Sequence, residues 1–80
     1  MKIKVLFFGA TAESVGLRET RIVLEDGSKT SVAVNFVKTS FPNLAKFKNL
    51  LVAVNQKYST GEESLVDGDE LAIFTSVSGG

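Results

Sequence analysis

The sequence predicts an α+β domain, a mixed sheet of four to five strands with one main helix on one face. Three patterns predict it. Near the start, Ile3, Val5 and Phe7 alternate with Lys2, Lys4, Leu6 and Phe8, the period of a strand whose successive side chains point to opposite faces. Thr30, Ala33, Val34, Val37 and Phe41 fall within an arc of about 100° at helical spacing, which makes an amphipathic stripe. Leu50-Leu51-Val52-Ala53-Val54 and Leu71-Ala72-Ile73-Phe74 are two further apolar runs of strand length.

The first strand directs Ile3, Val5 and Phe7 to the core and is ended by Gly9. Thr11 is placed to cap a short helical turn through Ala12-Glu13-Ser14-Val15, which Gly16 stops. Thr20-Arg21-Ile22-Val23-Leu24 reads as the second strand, and Glu25-Asp26-Gly27 supplies turn residues. Residues 30–41 fit two periods, because Val32, Val34 and Phe36 also alternate as a strand would. Helix is favoured, with Ser28 or Thr30 as cap and Pro42 marking the end. Valine is a modest helix former, so packing against a sheet must hold this segment. The third strand, residues 50–54, is apolar almost throughout and is expected to be central. Asn55-Gln56 turns it into a short fourth segment around Lys57-Tyr58-Ser59. Leu65-Val66-Asp67-Gly68-Asp69-Glu70 reads as a tight polar connection into the last strand. The order is β-β-α-β-β.

With 80 residues the chain is one small domain, burying about 60–65% of its unfolded surface, and it has no room for a deep cleft. Hydrophobic content of 44% and one proline argue against disorder. The absence of cysteine excludes disulfides, thiolate metal sites and thiol nucleophiles, and the absence of histidine removes the commonest general base. Nine basic and nine acidic residues give no net charge, hence no basic field for nucleic acid. Lys29, Lys38, Lys46, Lys48 and Lys57 are scattered. No apolar run is long enough to span a membrane, and no secretory signal is present. A soluble, cytoplasmic protein is expected.

Asp67, Asp69 and Glu70 offer carboxylates, but calcium loops need more oxygen ligands at a longer spacing, so a solvated turn is the simpler reading and no metal is expected. The most informative segment is Thr75-Ser76-Val77-Ser78-Gly79-Gly80, which has no charged side chain. Residues 1–74 are expected to form the folded body and residues 75–80 a flexible tail that presents a carboxylate at Gly80. Lacking a Cβ, Gly79 and Gly80 fit a channel too narrow for other residues. Extended, the tail reaches roughly 20 Å, at about 3.3 Å per residue. Val77 is apolar in a polar arm and is a candidate for anchoring it in a partner's groove.

Taken together, Lys4-Val5-Leu6-Phe7-Phe8, Ala53-Val54-Asn55-Gln56, Leu65 with Asp67-Gly68-Asp69-Glu70, and the final Gly79-Gly80 resemble the small subunits of molybdopterin synthase. These belong to the ubiquitin-like sulfur carriers of the β-grasp fold, and the resemblance runs from Lys4 to Gly80. It implies that a ubiquitin-activating-like adenylating enzyme uses ATP to convert the Gly80 carboxylate to an acyl adenylate, which then becomes a thiocarboxylate. The loaded tail would enter the large synthase subunit, in a heterotetramer, and supply sulfur to cyclic pyranopterin monophosphate, building the dithiolene of molybdopterin. No cofactor is bound and no independent activity is expected, since the chain acts as the sulfur-donor subunit of a two-component transferase. The family often has two prolines where this sequence has Thr75-Ser76, which leaves the arm looser.

Two other readings remain open: a sulfur carrier for the thiazole of thiamin, and a β-grasp modifier or interaction module whose carboxylate forms an amide with a target lysine. The strand phases place Phe8 opposite Phe7 and Phe74 opposite Ile73. If the helix covers the Ile73 side, Phe8, Phe74 and Tyr58 lie on the uncovered side, where aromatic residues in a polar rim serve as partner anchors.

Overall fold

The computed structural model describes residues 1–75. The elements run β1 (Lys2–Phe7), α1 (Ala10–Val15), β2 (Glu19–Val23), α2 (Thr30–Ser40), a 3₁₀ turn (Pro42–Lys46), β3 (Leu50–Val54), β4 (Lys57–Tyr58) and β5 (Glu70–Thr75). They form one mixed sheet in the order β2-β1-β5-β3-β4, with β1 and β5 parallel and the other neighbours antiparallel. This is the expected β-grasp arrangement, and residues 30–40 are helix, not strand. Among the described residues no helix is long and apolar enough to cross a membrane.

Register stacks the apolar side chains in rows across the core face. Ile3 lies opposite Ile22, Val5 and Val54 flank Leu71, and Phe7 and Val52 flank Ile73. Ile3, Val5, Phe7, Leu71 and Ile73 are each at most 2% exposed. Thr30, Ala33 and Val37 of α2 close over them, and Phe41 sets its ring edge-on to Phe7 at 5.4 Å. The predicted helical stripe is therefore the buried one, with Val34 at its margin.

Several local expectations need correction. Thr11 is not a cap but lies inside α1, whose N-cap is Gly9. Its buried hydroxyl accepts the Phe8 N–H (3.1 Å) and shares its own proton between the carbonyls of Phe8 (2.7 Å) and Ile73 (3.0 Å), tying α1 to β5. Neither Ser28 nor Thr30 caps α2, because the N-cap is Lys29 and no side chain bonds there. β3 is an interior strand but not the middle one, a position taken by β5. Leu65 belongs to the core, at 1% exposed, although its neighbours make a polar loop. The Asp67–Glu70 segment is a turn, in which the Asp67 carboxylate accepts the Lys2 N–H (2.6 Å) and that of Asp69 accepts the Val66 N–H (2.8 Å) and the Asn55 amide (3.0 Å).

The N-terminus of α2 is capped instead by the loop between β4 and β5. The Glu63 carbonyl accepts the Thr30 N–H (2.9 Å), and the Gly61 carbonyl accepts that of Ser31 (3.0 Å). The Glu63 carboxylate folds back on its own loop, accepting the Ser59 hydroxyl (2.6 Å), the Thr60 N–H (2.9 Å) and the Gly61 N–H (3.2 Å). These bonds, the Ser59 hydroxyl foremost, pull the carboxyl pKa from its ordinary 4.5 to about 2.

A folded-state pKa below the unfolded one means the carboxylate's contribution is fully present above about pH 4.5 and is lost as pH falls toward about 2. Urea midpoints of the natural chain and Glu63→Gln, compared across this range, should differ by a constant amount near neutrality. That difference should shrink steadily below about pH 4.5, whereas a gap that does not change with pH would contradict the assignment.

Candidate functional site

One helix covers one side of the sheet, so the other side is left to be assigned. Side chains out of phase with the core rows project there: Leu6 on β1, Ala72 and Phe74 on β5, Leu51 and Ala53 on β3, and Tyr58 on β4. Phe74 lies opposite Leu51 and Tyr58 opposite Ala53, which brings the Tyr58 and Phe74 rings to 6.0 Å at a tilt of 49°. Such a pair contributes about 0.5–1.5 kcal/mol beyond its buried area, yet Tyr58 keeps 75% of its surface in solvent. The expected aromatic face therefore exists, with Phe74 half-buried at its centre and Tyr58 at its edge.

Phe8 reaches the same region from the end of β1. It is 51% exposed, and its N–H is fixed by the Ile73 carbonyl (3.2 Å) and the Thr11 hydroxyl. Gly9 follows with φ of +57°, a left-handed conformation that glycine adopts without penalty. A groove of about 310 Å3 runs between Phe8, Gly9, Phe74 and Thr75. On the far side of Phe8 a second concavity of about 450 Å3 is bounded by Ala12, Glu13, Leu17 and Arg18. Phe8 and Phe74 thus stand beside Thr75, the last described residue, which precedes Val77, Gly79 and Gly80 in the sequence. Those three residues lie outside the described ones.

The rim of the face is charged on the β2 side, where Glu19 lies 3.6 Å from Lys4 and 3.4 Å from Arg21. These pairs are exposed, worth under about 1 kcal/mol each, and serve as a polar border to an apolar centre. Among the described residues no group of three or more His, Cys, Asp or Glu is placed to hold a metal ion. The face combines aromatic side chains, aliphatic side chains between them and a polar rim.

Leu6, Leu51, Ala53 and Ala72 belong to this surface and were not singled out from the sequence. Leu6 and Ala72 are in phase with Phe8 and Phe74, so strict alternation could have found them. Leu51 and Ala53 sit in a continuous apolar run whose two faces look alike until the register with β5 is known.

Residues 5–80 match the model of the ThiS family. The chain is 37% identical to the molybdopterin synthase sulfur carrier subunit of Chlamydomonas reinhardtii, with all of both chains covered. It is 40% identical to that of Haemophilus influenzae, over 98% of this chain and 99% of that one. Among solved structures it resembles SAMP1 from Haloferax volcanii, with a TM-score of 0.89, 25% identity and all of both chains covered.

The two sides of β5 should respond differently to truncation. Ile73→Ala, in the core, should cost about 2–5 kcal/mol of folding stability, and Phe74→Ala less than half as much, because Phe74 already faces solvent. Urea denaturation of both variants checks this, and equal losses would mean that the face is part of the core.

Proposed function

The chain belongs to the ThiS family, and from that premise we propose that it is the sulfur carrier subunit of a molybdopterin synthase. The observation that carries the reading is the full-length similarity to proteins of that name. The geometry agrees with it, because the aromatic face and its groove lie beside the root of the segment that ends in Gly79-Gly80.

In this reading the Gly80 carboxylate attacks the α-phosphorus of ATP on an adenylating partner, expelling pyrophosphate and forming an acyl adenylate. A sulfur nucleophile then displaces AMP, leaving a thiocarboxylate. Adenylation is needed because a carboxylate oxygen is a poor leaving group and AMP is a good one. The large subunit docks on Phe8, Tyr58 and Phe74, takes the tail with Val77 and Gly79 in its channel, and uses the terminal sulfur to convert cyclic pyranopterin monophosphate to molybdopterin. The carrier contributes the reactive atom on its main chain, and the partner contributes the catalytic side chains.

Two experiments test this. Intact-mass measurement after expression in a host with the pathway should find one oxygen replaced by sulfur at Gly80. Lysine-linked conjugates without sulfur would indicate a protein modifier instead, and restored thiazole synthesis a thiamin carrier. Deleting Gly80 should leave the urea midpoint unchanged and abolish molybdopterin formation in an assay with the large subunit and the activating enzyme. The carboxylate would then stand about 3.3 Å short of its target, and a 1 Å misplacement already costs about 100-fold in rate.

Phe74→Ala should weaken binding to the large subunit by about 2 kcal/mol or more, the effect of removing a central aromatic anchor. Calorimetric titration reads it, and a binding loss no larger than the stability loss would remove Phe74 from the interface.

A further inference from the structure

Tyr58 presents an unusual situation for an anchor. It is 75% exposed and sits on β4, a strand of two residues at the edge of the sheet. Among the described residues only β3 pairs with that strand, so neither burial nor a second neighbouring strand there holds the ring against Phe74. Two local structures supply the rigidity. On one side is the Asn55-Gln56 turn, with φ of +48° and +70°, the left-handed pair that closes a two-residue hairpin. On the other is Ser59, whose N–H donates to the Val52 carbonyl (2.9 Å) and whose hydroxyl donates to the Glu63 carboxylate (2.6 Å).

Glu63 is itself anchored at depth. Its carbonyl accepts both the N–H (2.9 Å) and the hydroxyl (3.2 Å) of Thr30, which is fully buried at the start of α2. Two residues on, Leu65 is in the core and its N–H donates to Ser28 (2.9 Å). Glu63 therefore joins the fixed helix terminus to the residue immediately after Tyr58.

We propose that Glu63 is a positioning residue for partner docking, holding Tyr58 against Phe74 through the Ser59 hydroxyl so that the aromatic pair meets the large subunit already in its bound geometry. The proposal rests on the docking reading given above. An ordered anchor loses less side-chain freedom on binding, and that saving is worth about three- to tenfold in affinity.

The test combines a measurement on the free, full-length protein with a double-mutant cycle against the large subunit of a molybdopterin synthase. In the natural chain, nuclear Overhauser contacts should connect the Tyr58 and Phe74 rings. They should weaken in Glu63→Ala and in Ser59→Ala, which removes the linking hydroxyl but leaves the Glu63–Thr30 bonds in place, and should be partly restored in Glu63→Gln. Glu63→Ala should lower affinity about three- to tenfold alone and have no further effect in a Tyr58→Ala background. Unchanged ring contacts in both alanine variants, with Tyr58→Ala still weakening binding, overturn this proposal alone. A Glu63→Ala loss that persists without Tyr58 overturns it as well. Tyr58→Ala binding as tightly as the natural chain overturns the docking reading at that residue and the proposal with it.

Discussion

A five-stranded sheet has two faces, and a chain of 80 residues with one helix of more than two turns has material to cover only one. The remaining organisation follows from that shortage. The covered face takes Ile3, Val5, Phe7, Leu71 and Ile73 under α2. The uncovered face is not wholly polar, since Leu6, Leu51, Ala53, Ala72 and Phe74 meet across β1, β5 and β3. An apolar strip bordered by the charged side chains of Lys4, Glu19 and Arg21 results. The open face is thus what this architecture leaves over once its core is closed, with Phe8, Tyr58 and Phe74 exposed or half-exposed there.

The same economy appears at α2. Its sequence, Thr30-Ser31-Val32-Ala33-Val34, is poor in strong helix formers and has no acidic residue in the first turn. The N–H groups of its first turn at Thr30 and Ser31 are satisfied by the carbonyls of Glu63 and Gly61, in a loop thirty or more positions later. The helix is therefore a product of tertiary structure, and the loop that completes it also bonds to Ser59 beside β4. Order at the helix terminus and order at the interface edge share one set of hydrogen bonds.

The sequence made the architecture legible where a pattern is local. Alternation in residues 2–8 reveals β1 and its buried side, the stripe of Thr30, Ala33 and Val37 reveals the buried side of α2, and Asn55-Gln56 marks the hairpin. The strand phases at Phe7-Phe8 and Ile73-Phe74 even assign Phe8 and Phe74 to the open face. Legibility fails where a residue's role depends on a distant partner. Thr11 resembles a cap by its neighbours, but its hydroxyl is used 62 positions away at Ile73. Leu65 sits in a polar loop and is pulled into the core by a backbone bond to Ser28. β3 is apolar on both sides because one side packs under the helix and the other lies beside Phe74 and Ala72 on the open face, not because it is the middle strand. The cap of α2 by Gly61 and Glu63 left no mark near residue 30 at all. Of the site, the aromatic anchors were readable and the aliphatic floor of Leu51 and Ala53 was not, since register is a property of two strands.

The parallel pairing of β1 with β5 has a mechanical consequence. The first strand and the last run side by side in one direction, joined by the register Lys4 to Glu70 through Phe7 to Ile73. Tension applied between residue 2 and residue 75 therefore acts along the ladder, loading its hydrogen bonds together in shear instead of opening them one at a time as a zipper does. A load borne between the first and last strands passes through the middle of the sheet, where rupture requires several bonds to fail at once.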